Sequence, residues 1–347
     1  MNEIQRNHTH RRKGPDWRLA SRLGAVGSLA ILLASCRSNL ALDPMGPGAA
    51  TIAGHWWVLC WTALAVCIIV LVLLAVAVLR ARRRSIEPDS GSERRGQSLV
   101  IFGGGIVPLV ILLGTTVFIL VGLASFDDPV DEDALRIRIT GHMFWWQIEY
   151  PDHGFETANE LHIPVGEPVR IQLESADVIH SFWVPQLHGK LELVPGRTNE
   201  LVIQADAPGS YLGVCAEFCG LQHANMRFSV IAQMPDDFDG WAEAQAEDAS
   251  PPDTALASEG QEVFQRLICS NCHTVRGVSE TASTVAPDLT HLSSRSTLAA
   301  RTIPNTRSNL ASWIMDPQLA KPGSNMPSTP MSGRELDALL EFLGAGQ

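Results

Sequence analysis

Charge is scarce in this chain. Asp, Glu, Lys and Arg make up 18% of its 347 residues, against roughly 25% in soluble domains. Seven cysteines are too few for a small scaffold stapled by disulfides. Neither the composition nor the patterning is that of a disordered chain, a collagen or a coiled coil. Basic residues thin out after the first hundred positions. Residues 1–100 carry a formal charge of +7, and the remainder carries −18. An acidic C-terminal part argues against nucleic-acid binding, which requires a basic face. The length suggests about two domains. Apolar residues reach 46%, and the basic, apolar N-terminal part points to a membrane.

Three apolar stretches account for that part. Leu19–Ser35 follows Arg11, Arg12, Lys13 and Arg18 and reads as a signal peptide over residues 1–35. Its end, Leu33-Ala34-Ser35-Cys36, resembles a bacterial lipobox, which implies lipidation at Cys36. Residues 36–55 form an external segment. The second stretch, residues 56–79, holds no charge and spans about 36 Å as a helix. Trp56, Trp57 and Trp61 mark one end and Arg80, Arg82, Arg83 and Arg84 the other. Cys60 and Cys67 within it read as small lipid- or helix-facing residues. The third stretch, residues 98–125, contains Gly103-Gly104-Gly105, which allow close helix approach. The arginine-rich loop at 80–97 lies in the cytoplasm by the positive-inside rule. Everything after Asp127 is then external.

From Ala134 the apolar period changes to two. Leu135, Ile137 and Ile139 alternate with arginines, and Val169, Ile171 and Leu173 alternate with polar residues. Proline and glycine punctuate short strands, which predicts a β-sandwich or barrel over 130–235. Its chemistry lies in Cys215-Ala216-Glu217-Phe218-Cys219-Gly220-Leu221-Gln222-His223-Ala224-Asn225-Met226. Thiols, imidazole and thioether are a soft donor set suited to copper. A Cys215–Cys219 disulfide leaves His223 and Met226 unexplained, and zinc makes little use of methionine.

This run resembles that of subunit 2 of haem–copper cytochrome c oxidases. The segments at Asp177–Pro185, Lys190–Arg197 and Gly141–Trp146 resemble the family's at the same spacing. The resemblance implies an all-β cupredoxin-like domain with a binuclear CuA centre. Cys215 and Cys219 would bridge two coppers, with His180 and His223 capping one each. Met226 and the Glu217 carbonyl would be the outer ligands. The Glu217 side chain would also reach a magnesium at the interface with subunit 1. Two departures stand out. Phe144 occupies the place of the tryptophan through which the family receives electrons, leaving Trp145 and Trp146 as relay candidates. Ile101 occupies the place of a glutamate near a proton channel. His142, His153, His162 and His188 read as packed or surface residues.

Residues 236–257 read as an acidic helix, with Phe238, Trp241 and Ala244 on one face, running into a flexible linker. Residues 258–347 open with an apolar helical pattern that leads into Cys269-Ser270-Asn271-Cys272-His273, the haem c attachment signature. His273 becomes the axial ligand, and a methionine completes the iron. Met326 lies in an extended loop that resembles the family's methionine loop. Met331 is second, and Met315 falls in a helical core pattern. Pro287-Asp288-Leu289 resembles the segment whose proline packs on the histidine side, residues 334–343 read as a final amphipathic helix, and His291 is structural. The domain reads as an all-α class I cytochrome c.

The order of segments resembles subunit 2 of a caa3-type oxidase in a bacterial inner membrane, with both external domains on the periplasmic side. The resemblance implies partnership with subunits 1 and 3, with membrane lipid, and with an external cytochrome c or another donor. It implies electron transfer from haem c through CuA to an oxygen-reducing, proton-pumping subunit 1. This chain holds no residues for the oxygen chemistry itself. A nitric oxide reductase subunit and a copper chaperone are the alternative functions.

Overall fold

A computed structural model of the protein describes residues 41–83, 90–124, 133–267, 269–278, 283 and 285–344. The expected leader and Cys36 lie outside the described residues.

Helix α1 runs Pro47–Arg83, well beyond the apolar stretch expected at 56–79. Its first turns pack on the β domain, where Ala49 and Ala53 are buried. Just ahead of it, Met45 N donates to Gln186 O at 2.7 Å, and Asp206 N donates to Met45 O at 2.8 Å. The segment expected at 36–55 is therefore partly helix, held by backbone bonds. Helix α2 (Ser90–Ile101), a π turn (Phe102–Ile106) and helix α3 (Val107–Ala124) continue one rod. The stretches Pro47–Arg83 and Gly96–Ala124 are long and apolar enough to cross a membrane. A helix suits that role because it satisfies its own backbone hydrogen bonds. The rods meet where the His55 ring lies 4.5 Å from that of Phe118. The three glycines form the π turn, and a Cβ at any of them would meet nothing within 4 Å. They face no neighbour among the described residues.

The period-two segments build a two-sheet sandwich. Strands β1 (Arg136–His142), β2 (Trp145–Tyr150), β3 (Phe155–Ala158), β5 (Val169–Ser175) and β8 (Asn199–Ile203) form one sheet, in the order β3-β2-β1-β5-β8. The other, ordered β4-β10-β9-β6-β7, joins β4 (Glu160–Pro164), β6 (His180–Trp183), β7 (Leu191–Leu193), β9 (Gly209–Cys215) and β10 (Arg227–Gln233). Alternation aims Ile137, Ile139, Val169, Ile171 and Leu173 inward. Each such side chain contributes about 1.5–3 kcal/mol on burial. Helix α4 (Pro235–Ala246) closes one end of the sandwich. Its inward face is Phe238, Ala242 and Gln245, with Trp241 stacked on His162 at 3.9 Å. The expected Ala244 is exposed.

Helix α5 begins at Ala255 and runs to Arg266, ahead of the boundary expected at 258. With α6 (Arg307–Met315), α7 (Pro317–Ala320) and α8 (Gly333–Phe342) it encloses a small core of Val263, Phe264, Leu310, Ile314, Leu339 and Leu340. A short hairpin, β11 (Thr297–Leu298) and β12 (Ile303–Pro304), joins it. Threonine or serine caps α5, α6 and α8. Gly260 lets α5 and α8 touch, since a Cβ there would run into the Ala338 carbonyl.

The connector at 247–254 was expected to be flexible. Its start is instead pinned to the helical domain. Arg276 Nη2 donates to Glu247 O at 2.8 Å, His291 Nε2 lies 3.0 Å from the same oxygen, and Ala249 N donates to Arg276 O at 3.1 Å. His291 is structural here, as expected.

Candidate functional site

Strand β9 ends at Cys215 and the chain turns through a loop before β10. That turn returns Cys219 to Cys215, with their sulfurs 3.8 Å apart. Strand β6 pairs with β9, placing Phe182 opposite Cys215. The first residue of β6, His180, then lies with its Nδ1 3.9 Å from Cys215 Sγ. On the other side, His223 Nδ1 is 3.8 Å and Met226 Sδ 3.7 Å from Cys219 Sγ. The Glu217 carbonyl oxygen is 3.2 Å from Cys215 Sγ. The structure thus brings together all six residues expected from the sequence, four of them around the two unbonded thiols. Cys215, Cys219, His180 and Met226 are buried.

The electrostatics favour a thiolate. Hydrogen bonds from Cys219 and His180 pull Cys215 far below the ordinary thiol range against the effect of burial. The bond to Cys215, together with burial, pushes Cys219 up. Burial would lower His180, but Cys215 and Asp177 outweigh it and raise it. Asp177 Oδ1 lies 2.8 Å from His180 Nε2, which leaves Nδ1 facing the sulfurs. Asp177 also accepts from Met143 N and Val178 N, both at 2.6 Å. This carboxylate was missed as an individual residue. The signal available was an acid three positions before the histidine. Gly141 makes room for the ring, since a Cβ there would sit 2.8 Å from His180 Cδ2.

Soft sulfur donors gathered beside ring nitrogens fit a copper pair. The aromatic segment borders this cluster unevenly. Trp146 is buried, its ring 6.1 Å from that of His180. Phe144 is buried against Gly220, next to Cys219. Trp145 instead stacks on His142 at 4.3 Å. His142, His153 and His162 lie in aromatic contacts elsewhere on the sandwich. Burial lowers His142, His162 and His188.

In the helical domain Cys269 and Asn271 bound one short helical turn, and Cys272 and His273 donate their backbone N–H to Cys269 O. His273 Nδ1 donates to Pro287 O at 2.7 Å. That bond fixes the tautomer and leaves the Nε2 lone pair for a metal. Burial holds the His273 ring neutral, with its pKa lowered. Arg295 is buried close enough to His273 to act on its charge, and its Nε finds no partner. Cys269 is half-buried and Cys272 exposed. Met326 and Met331 are both half-buried against the same small core. A fixed imidazole, two accessible thiols, methionines at the core edge and an orphaned buried guanidinium N–H fit a covalently held haem with acidic side groups.

Comparison with known proteins covers both regions. A family described as cytochrome c oxidase subunit II, periplasmic domain, matches residues 153–233, and the cytochrome c family matches residues 257–346. Cytochrome c oxidase subunit 2 of Alkalihalophilus pseudofirmus is 35% identical over 94% of this chain and 97% of its own length. The protein of the same name from Bacillus subtilis is 30% identical over 78% of this chain and 82% of its own. A crystal structure of the periplasmic domain of cytochrome oxidase subunit II of Bradyrhizobium japonicum is 32% identical. It covers 34% of this chain and 96% of that one, with a TM-score of 0.33.

Proposed function

The chain belongs to the cytochrome c oxidase subunit 2 family, and we propose that it receives electrons on behalf of a haem–copper terminal oxidase of the caa3 type. The observation that carries this reading is the convergence of four donors on two thiols, in a chain that also holds a Cys-x-x-Cys-His site.

Cys215 and Cys219 would bridge two coppers, His180 and His223 would cap one each, and Met226 and the Glu217 carbonyl would complete them. Cys269 and Cys272 would hold the haem covalently, with His273 and Met326 as its axial pair. When bound, these groups supply one-electron chemistry that takes electrons from an external donor and passes them to an oxygen-reducing, proton-pumping subunit 1.

The chain's own part is positioning. Asp177 holds the His180 Nε2–H so that the opposite nitrogen stays fixed on the sulfurs. The Pro287 carbonyl does the same for His273. Burial excludes water from Cys215, Cys219 and Met226, so the ligand set keeps its geometry. Trp146 and Phe144 are buried aromatic neighbours of this set and the better relay candidates, whereas Trp145 is turned toward His142. Phe218 is 77% exposed beside the half-buried Glu217. That apolar face suits subunit 1, with Glu217 contributing to a magnesium between them. Subunit 3 and lipid would cover the two apolar rods in a bacterial inner membrane, with both globular regions periplasmic and the arginine-rich turn cytoplasmic. Lipidation at Cys36 completes the reading.

The test is metal analysis with optical and EPR spectra of the purified chain. Two coppers, a signal shared over both, and one covalent haem are expected. One copper per chain, or a signal localised on a single ion, overturns the copper assignment. Met326→Ala removes the methionine-ligated spectrum and keeps the haem attached, while Met331→Ala leaves the spectrum intact. The opposite pattern moves the ligand to Met331.

A further inference from the structure

Lys321 is one of three lysines in the chain, and at 3% exposure it is buried. Among the described residues no carboxylate accepts from it. Its Nζ donates instead to three backbone carbonyls, Phe144 at 2.7 Å, Asn225 at 2.9 Å and Ala299 at 3.0 Å. An ammonium has three N–H groups, so the three oxygens use all of them. Burial works against this charge and pulls the Lys321 pKa well below the ordinary lysine range. A charge kept in such a place implies a role for the carbonyls it ties together. Phe144 and Asn225 belong to the sandwich, beside Cys219 and Met226. Ala299 belongs to the helical domain, as Lys321 itself does.

The surrounding contacts point the same way. Gln222 Nε2 donates to Pro322 O at 2.7 Å, and Arg227 N to Ala300 O at 3.3 Å. Ala299, Ala300 and Arg301 have φ of 53°, 55° and 60°. Three successive non-glycine residues in the left-handed region cost free energy. The Ala300 carbonyl accepts from Arg227 N of the sandwich and the Ala299 carbonyl from Lys321 within the helical domain, so one of the two bonds that offset the strain crosses the interface. Elsewhere on the interface the 3%-exposed Glu160 carboxylate of β4 accepts from Ser296 N at 2.9 Å, Ser296 Oγ at 2.5 Å, Thr297 N at 3.1 Å and Thr297 Oγ1 at 3.2 Å.

We propose that Lys321 is a positioning residue that locks the haem-binding domain onto the copper-binding face, with Glu160 as a second latch. The relay is then a fixed dock and not a swinging tether. The lock joins the 321–326 loop, which carries Met326, to the 222–226 loop, which carries His223 and Met226. This inference rests on the reading of the two regions as haem and copper sites. It adds that their separation is set by the interface and not by the connector.

The experiment uses the full chain in the membrane, with a protease site inserted after Ser250 in the connector. The covalent haem traces the released C-terminal fragment. After cleavage the fragment is expected to stay with the membrane in the otherwise unchanged protein and to leave it in Lys321→Met. Association should weaken roughly tenfold for each of the two sandwich carbonyls, Phe144 and Asn225, left without its donor. Haem absorbance and copper content of the uncut K321M protein should match wild type. If K321M loses either, Glu160→Gln decides in its place, with release again expected.

A second measurement adds about 20 Gly/Ser residues to the connector. A tether from about eight to about 28 residues would lose roughly sixfold in effective concentration, and haem-to-copper transfer would slow accordingly. A dock leaves that rate unchanged within about twofold. Release of the wild-type fragment, or retention in both variants, overturns the lock. A fragment that stays bound in a protein showing no haem-to-copper transfer would sink the electron-route reading and leave the lock standing.

Discussion

The sandwich and the helical domain prepare their sites in opposite ways. In the sandwich four donors stand around the two sulfurs, because strands β6 and β9 and one tight loop place them. In the helical domain the donors sit at the edge of a small core, with Cys272 exposed and two methionines half-buried. A metal ion is smaller than a side chain, so hydrogen-bonded strands can build its site in advance. A porphyrin is larger than any side chain and forms part of the core that surrounds it. One region should therefore fold without its metal, and the other should depend on its cofactor.

The largest expected effect follows directly. Cys269→Ala with Cys272→Ala removes haem attachment. A helical core of this size supplies only a few kcal/mol by itself, so the domain should lose its separate thermal transition while that of the sandwich stays. Calorimetry checks this, and an unchanged helical transition breaks the comparison.

Next is Cys219→Ser. It should abolish the shared-valence copper signal but destabilise the metal-free sandwich by no more than about 1–2 kcal/mol. Denaturant unfolding of the metal-free protein reads the second number. A sandwich that unfolds outright would show that the site is not independent of its metal.

Asp177→Asn is milder. The imidazole keeps a partner but loses a charged one, and copper affinity should fall about tenfold. A competition titration measures it. No change would mean that β6 alone orients His180.

Ser332→Ala is the smallest. It removes the cap of α8, at a cost of about 1 kcal/mol, and should move only the helical transition. Ser332, through its backbone N–H and its hydroxyl, and then Arg266 hold Glu335 down to about 2. A carboxylate depressed in the fold lends stability above its ordinary range and loses it as pH falls toward about 2. Ser332→Ala should flatten that acid limb of the helical transition, read by thermal melts at pH 2–5. An unaltered limb would show that the residue 332 backbone N–H and Arg266 hold the carboxylate down without the hydroxyl.

What was legible in the sequence was local. Cys215, Cys219, His223 and Met226 lie within one loop, and Cys269, Cys272 and His273 within one turn, so spacing alone reveals the chemistry. The period-two and uncharged runs likewise identify the sandwich and the two apolar rods. The face of α4 was misread at Ala244 because two alanines two positions apart look alike until Tyr150 and His162 are placed beneath Trp241. The connector was misread because its composition suits a free linker, while its partners, Arg276 and His291, come much later in the chain.

The amino-acid order by itself determined which donors exist and how they group, since thiol, imidazole and thioether chemistry belongs to side chains and short spacing survives any fold. Only the tertiary structure decided which nitrogen of His180 faces the sulfurs, since that depends on Asp177 accepting from the other one. The same holds for the pairing of the domains. Lys321 bonds to carbonyls at positions 144, 225 and 299. Backbone oxygens are identical in every residue, so no reading of side chains could single those three out.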